Sequence, residues 1–403
     1  MRVLEIIGSV DPRHGGAIEG LVRQTVVRER RGWHTEIASL DPPDAPWVRD
    51  CPVRTFGFGC STAVGRGLPL RRFGYTPKLV PWLQAHRGDY DIVVVNGLWN
   101  YATFAARRSL PSSTPYVVFP HGMLDPWFGR NNPVKHAAKQ VLWLVSEGPL
   151  LRNAGAVLFT AEDEMTSAQN AFWPYSLHGR VVGFGTADVV GSAAEQIAAF
   201  RARLPSLAHR PFLLFLGRLH LKKGCDVLVE AFCRLAGDHP QLDLVMAGPD
   251  PGGLRRRLEA TAAAAGFAGR IHWPDMLVGD TKWGALRSCT ALVLPSHQEN
   301  FGVVVTEALA AGRPVLISDR VNIWREIKTF DAGFVGRDDV DGTEAVIRRF
   351  ISLSEDAVAA LGEAARRCFL ARFEISLAAN QICDVLEAVT SSWHAGSANT
   401  RGR

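Results

Sequence analysis

The sequence predicts an α/β protein built as two Rossmann-like, doubly wound domains. Three observations lead there: the chain's length, an alternation of short β-branched runs with longer helical patterns, and a break in that alternation near the middle. At 403 residues the chain exceeds the roughly 250 to 300 residues at which a single core stops growing. Apolar residues make up 47% and charged residues 21%, the balance of a globular protein with a sizeable core, which excludes a disordered or fibrous chain.

The elements follow in order. Strands are expected at Val3 to Ile7, Thr35 to Ser39, Ile92 to Asn96, Tyr116 to Pro120, Ala156 to Thr160 and Arg180 to Gly183. From Thr186 to Arg210 the pattern turns polar and helical. A second series occupies Phe212 to Leu216, Asp243 to Ala247, Ile271 to Trp273, Ala291 to Leu294 and Val315 to Ser318. The expected organisation is a first domain over 1–190, an interdomain connection over 191–210 and a second domain over 211–375. A last amphipathic helix over 376–390 and a flexible polar tail over 391–403 complete it. In doubly wound sheets ligands sit beyond the carboxyl ends of the strands, so the candidate residues are those that follow strands.

A formal charge of +5 suits anionic ligands and does not describe a nucleic-acid binder. Seven cysteines, Cys51, Cys60, Cys225, Cys233, Cys289, Cys368 and Cys383, contain no C-x-x-C pair, which argues against a disulfide framework or structural zinc and for a reducing compartment. Glu5 interrupts the N-terminal apolar run, so it does not read as a signal peptide, and no window reaches the about 18 apolar residues of a membrane span. The expectation is a cytoplasmic protein, at most in contact with the inner face of the plasma membrane.

The strongest motif runs from Leu294 to Pro314: Leu-Pro-Ser-His-Gln-Glu299-Asn300-Phe301-Gly302-Val-Val-Val-Thr-Glu307-Ala-Leu-Ala-Ala-Gly-Arg-Pro. A buried strand ends at Pro295, a polar loop follows, and a helix is expected to open near Phe301-Gly302. The first amides of such a helix lack intrahelical partners and carry the positive end of its dipole, which makes an anion site. Gly302 lets a phosphate approach the backbone. Glu299 and Glu307 would be repelled by that phosphate, so they are expected to meet hydroxyls: Glu299 a sugar, Glu307 a ribose diol. Taken singly, the pair is equally readable as a loop acid and a helix-surface acid.

A second signal, Phe212-Leu-Leu-Phe-Leu-Gly217-Arg218-Leu-His-Leu-Lys-Lys223-Gly224, places two cations at a strand exit. Arg218 could fork onto phosphate oxygens and Lys223 act as a mobile point charge, although a solvated strand exit looks the same. In the first half, Gly15-Gly16 follows the first strand, and His121-Gly122-Met-Leu-Asp125-Pro-Trp127 follows another. There is no G-x-G-x-x-G in this position and no P-loop anywhere, which weighs against a dinucleotide oxidoreductase and a P-loop nucleotidase.

Taken in order, these segments, with Thr160-Ala-Glu-Asp-Glu164 and Ala247-Gly248-Pro249, resemble family 4 glycosyltransferases of the GT-B fold over nearly the whole chain. The wording around His121 resembles members that build bacterial exopolysaccharide, capsule or lipopolysaccharide. The resemblance implies two domains facing a central cleft, a nucleotide-sugar donor on the second and an acceptor, a glycan or lipid-linked glycan, on the first. It implies donor diphosphate on Arg218 and Lys223, the transferred sugar on Glu299 and the amides of Asn300, Phe301 and Gly302, and ribose on Glu307. Gly16 (with Gly15 in the same loop) would lie against the distal phosphate, and His121 would contact the sugar. The family retains anomeric configuration and uses neither metal nor cofactor. One departure stands out: where members often carry Asn-Gly, this chain reads Gly183-Phe184-Gly185.

Two basic and aromatic stretches of the first half, Arg66 to Trp82 (Arg71, Arg72, Phe73, Tyr75, Lys78, Trp82) and Lys135 to Arg152 (Lys139, Leu142, Trp143, Leu144), are candidates for peripheral contact with an anionic membrane. A core-packing helix with a solvated basic side is the competing reading. For the activity, the alternatives are a nucleotide-sugar epimerase of the same fold and a non-catalytic nucleotide-sugar-binding protein.

Overall fold

A computed structural model describes residues 1–14, 16–60, 73–126 and 133–400. The chain forms two compact units, Met1–Phe184 with Ile375–Arg403, and Gly185–Glu374.

The first unit holds a seven-stranded sheet of β1 (Arg2–Ile7), β2 (His34–Ser39), β3 (Thr55–Gly57), β4 (Ile92–Asn96), β5 (Tyr116–Phe119), β6 (Ala156–Phe159) and β7 (Gly179–Val181). The second holds six strands, β8 (Phe212–Leu216), β9 (Asp243–Ala247), β10 (Ile271–His272), β11 (Ala291–Leu294), β12 (Val315–Ser318) and β13 (Gly333–Gly336). Their orders are β3-β2-β1-β4-β5-β6-β7 and β10-β9-β8-β11-β12-β13, and every neighbouring pair is parallel. Central strands such as Ile92-Val-Val-Val-Asn and Phe212-Leu-Leu-Phe-Leu are buried throughout, as strands covered by helices on both faces must be. In each sheet the order reverses once, between β1 and β4 and between β8 and β11. At such a reversal the connections leave toward opposite faces and open a crevice at the strand ends.

Strands β3 and β13 are absent from the sequence expectation. Each is an edge strand of three or four residues, partly exposed along its length and containing glycine, so neither leaves a hydrophobic run to read.

The expected connection over 191–210 is instead part of the second unit. Its helix Ala193–Arg203 is capped by Ser192, buries Phe200 and packs on helix Gly279–Ser288 so closely that a Cβ on Gly284 would fall 1.9 Å from the Gln196 carbonyl. Polar composition misleads here because only one side of the helix is covered. The first unit accordingly ends at Phe184 rather than 190.

The last helix also differs, running Ile375–Thr400 and belonging to the first unit. Arg31 donates to Asn380 and Asp384, and Val389 presses on Gly155. The expected tail over 391–403 is therefore helical through Thr400. Trp393 anchors it, its indole nitrogen donating to the Ser112 carbonyl at 2.8 Å with its ring beside Tyr116; residues 401–403 lie outside the described residues.

Candidate functional site

The candidate residues of the second unit gather where its strand order reverses. Strand β8 ends at Leu216 and exits through Gly217 and the exposed Arg218 into a turn over Leu221–Lys223. Gly224 then reverses the chain at φ 66°. A Cβ there would stand 2.1 Å from the Pro295 carbonyl oxygen, so the loops after β8 and β11 meet main chain against main chain. His297 N donating to Lys222 O at 2.9 Å ties them again. Gly248, at φ 149°, packs the loop after β9 on the same exit, since a Cβ there would lie 1.8 Å from Gly217 O.

This closeness lets Lys223 Nζ form an ion pair with Glu299 Oε2. Burial, together with Lys222 and Arg218 nearby, pulls the Lys223 ammonium down to about 7, while the carboxylate in contact with it favours the charged form. Glu299 is itself held by its backbone, N donating to Arg320 O at 3.0 Å and O accepting from Asn322 N at 3.1 Å. Asn322 also reaches the Asn300 side chain. Phe301 turns its ring inward, buried edge-on against Phe373. Gly302, at φ 76°, caps helix Val303–Ala310, so the helix opens where the sequence places it.

Glu307 is not a surface acid. It is buried at 4% exposure and accepts from Lys282 Nζ at 2.6 Å. Lys282, on helix Gly279–Ser288, is a candidate that sequence reasoning misses, because Asp-Thr-Lys-Trp carries no motif and only the fold brings it to Glu307. Among the described residues, no cluster of three or more His, Cys, Asp or Glu side chains converges as a metal site.

In the first unit, Gly16 opens helix Gly16–Arg30 directly after the β1 loop; Gly15 lies outside the described residues. His121 follows β5 with a left-handed backbone, φ 51°, a conformation costing a residue with a Cβ about 1 to 2 kcal/mol. Its ring stacks on Phe119 at 4.1 Å, lies edge-on to Phe184, and bonds through Nε2 to Asn96 Oδ1 at 2.9 Å. Burial pushes its pKa down to about 4, so the imidazole is neutral near pH 7. Phe184, in the segment that departs from the family's Asn-Gly, thus helps seat the histidine.

The basic and aromatic stretches fare unequally. Of Arg66 to Trp82, residues 66–72, Arg71 and Arg72 among them, lie outside the described residues. Phe73 and Trp82 turn toward the core, against Tyr101 and against Phe56 and Phe58, leaving Tyr75 exposed. In Lys135 to Arg152, Trp143 is buried, contrary to a membrane-facing role. Lys139 lies over the Trp99 ring. Val134, Val141, Leu144 and Val145, spaced for one helical side, are exposed. No helix among the described residues is long and apolar enough to cross a membrane.

Two doubly wound units with an anion-suited crevice in the second define a class, and comparison with known proteins agrees. The family described as Glycosyl transferase 4-like domain matches residues 15–185, and that described as Glycosyl transferases group 1 matches residues 196–367. The chain belongs to the family 4 glycosyltransferases of the GT-B fold. It is 28% identical to glycogen synthase of Mycobacterium tuberculosis over 349 residues, 80% of this chain and 72% of that one. Over 185 residues, 45% of this chain and 46% of the relative, it is 32% identical to phosphatidyl-myo-inositol mannosyltransferase of Mycolicibacterium smegmatis. In fold it is similar to Anabaena HepE solved in complex with UDP and glucose, with a TM-score of 0.74 and 18% identity over 96% of this chain and 99% of that one.

Proposed function

We propose that this glycosyltransferase moves a hexose, with retention of configuration and without a metal or cofactor, from a nucleotide-diphosphate donor to a glycan or lipid-linked glycan acceptor. The donor is GDP-mannose or a UDP-hexose, and the product belongs to a bacterial surface polysaccharide: exopolysaccharide, capsule or lipopolysaccharide. The observation that carries the reading is the convergence of Arg218, Lys223, Glu299 and the opening of helix Val303–Ala310 where β8 and β11 part. UDP-glucose in a complex of the similar Anabaena HepE, and phosphatidyl-myo-inositol as the molecule mannosylated by the Mycolicibacterium relative, agree with the donor and acceptor classes.

Negative charge builds on the leaving diphosphate while the sugar becomes oxocarbenium-like, and fixed positive groups aimed at that charge lower the barrier. Arg218 and Lys223 supply it here, together with the amides at the helix opening. Without donor, Glu299 holds the Lys223 proton. With donor, Lys223 turns to phosphate and Glu299 to sugar hydroxyls. Glu307, fixed by Lys282, takes the ribose. His121, neutral near pH 7, serves as a hydrogen-bonding partner of the sugar rather than as a charged acid. With no carboxylate of the motifs assigned as a nucleophile, attack on the face of the departing phosphate, which takes the acceptor's proton, is the favoured route.

The exposed side of 134–145, with Lys135 and Lys139 on the same segment, is the face proposed to rest on anionic lipid. Full-length protein should sediment with vesicles containing anionic lipid and be released by salt. Equal sedimentation with neutral vesicles would remove this part of the reading.

Transfer is expected to persist in EDTA, and activity lost to chelation and restored by manganese contradicts the metal-free mechanism. The two glutamates separate the donor contacts. Glu307→Ala should weaken nucleoside diphosphate binding about 10- to 150-fold, the range for a hydrogen bond to a charged group. Glu299→Ala should leave that affinity within about threefold and lower kcat instead, because its partner sugar is absent from the product nucleotide. Calorimetry with UDP and GDP on both variants checks this. Equal losses would contradict the assignment, and donor binding with no transfer to any acceptor would favour a non-catalytic role.

A further inference from the structure

Glu5 is the one carboxylate inside the apolar run of β1, and it is 1% exposed. A charge so placed must be paired, and Arg28, from helix Gly16–Arg30 and also 1% exposed, donates Nη1 to Glu5 Oε1 at 2.5 Å. The other oxygen, Oε2, accepts from Asn96 Nδ2 at 2.5 Å. Asn96 is the last residue of β4, next to β1 where the first sheet's order reverses, and its own Oδ1 faces His121 Nε2 at 2.9 Å. Four side chains from helix, β1, β4 and the loop after β5 thus form one line, buried at Arg28, Glu5 and Asn96 and half-buried at His121.

The chemistry of the line has a single self-consistent arrangement. A carboxylate paired with a guanidinium only accepts hydrogen bonds, so Asn96 must turn its amide NH2 toward Glu5. Its carbonyl oxygen is then left toward the histidine, and an amide oxygen only accepts, so Nε2 must carry the proton. The neutral imidazole is therefore held as the Nε2–H tautomer, with Nδ1 the unprotonated acceptor.

We propose that Glu5 and Asn96 are positioning residues for the transfer reaction, fixing the ring orientation and the Nε2–H tautomer of His121 so that Nδ1 accepts a hydrogen bond from a sugar hydroxyl. They act through the histidine and not on substrate. The space that Glu5, Asn96, Arg28 and His121 share is about 10 Å³, too small for a sugar hydroxymethyl group and at the lower limit for one water. The inference rests on the part given to His121 in the proposed function, and its test keeps the two apart.

Selective 15N labelling of histidine in the full chain, with the His121 signals assigned by their loss in His121→Ala, reads the tautomer directly from the two nitrogen shifts. The wild-type protein should show Nε2–H, and a dominant Nδ1–H form overturns the proposal. In Asn96→Leu the acceptor is gone, so the shifts should move toward a mixture of tautomers. Turnover should fall about tenfold, the value of one lost hydrogen bond, with the dissociation constant of the nucleoside diphosphate unchanged. Asn96→Asp should restore both tautomer and turnover. Its carboxyl cannot ionise beside Glu5, so it shares a proton with Glu5 and still accepts from Nε2–H. A tautomer unaltered in Asn96→Leu overturns the relay. A tautomer lost with turnover unchanged supports the relay and instead removes His121 from the reaction.

Discussion

The candidate donor site depends on one constraint: β8 and β11 are parallel neighbours although two strands and their helices separate them in sequence. Their following loops are therefore forced side by side, and Gly224 and Gly248 allow contact at distances that a side chain would prevent. Only in that packing does Lys223 reach Glu299, 76 residues away. The helix opening at Val303 then follows from the same loop, which carries the positive end of its dipole. A cluster of positive charge would ordinarily repel itself; the Glu299 carboxylate, paired with Lys223, offsets it.

The first sheet repeats the geometry with different chemistry. Its reversal lies between β1 and β4, and there the buried groups are Glu5 and Asn96 instead of loop cations. Breaking a buried pair such as Glu5–Arg28 costs about 3 to 5 kcal/mol, more than a substituted hydrophobic pair would. An ion pair in that position is a poor device for stability alone. It is a good one for orienting Asn96, and through it a histidine whose strained backbone already fixes where the ring begins.

Strand periodicity made both sheets legible, because doubly wound strands are continuous apolar runs and motif residues fall at their ends. Glu299, Lys223 and His121 were readable for that reason. Lys282 and Asn96 were not, since a lysine inside an amphipathic helix and an asparagine ending a valine run look ordinary until the fold supplies their partners. Glu5 appeared in the sequence only as an interruption of an apolar segment. Helix Ala193–Arg203 and the end of helix Ile375–Thr400 were misjudged for a related reason: single aromatic anchors, Phe200 and Trp393, hold segments whose average composition is polar.

Whether Lys223 and its neighbours bind the donor's diphosphate is read by isothermal titration of a nucleoside, its monophosphate and its diphosphate against the wild-type protein and Lys223→Met. Affinity should rise with each phosphate in the wild type, weaken with salt, and lose most of the diphosphate's advantage in Lys223→Met. A diphosphate bound no more tightly than the nucleoside, or an advantage that Lys223→Met leaves intact, would contradict such binding.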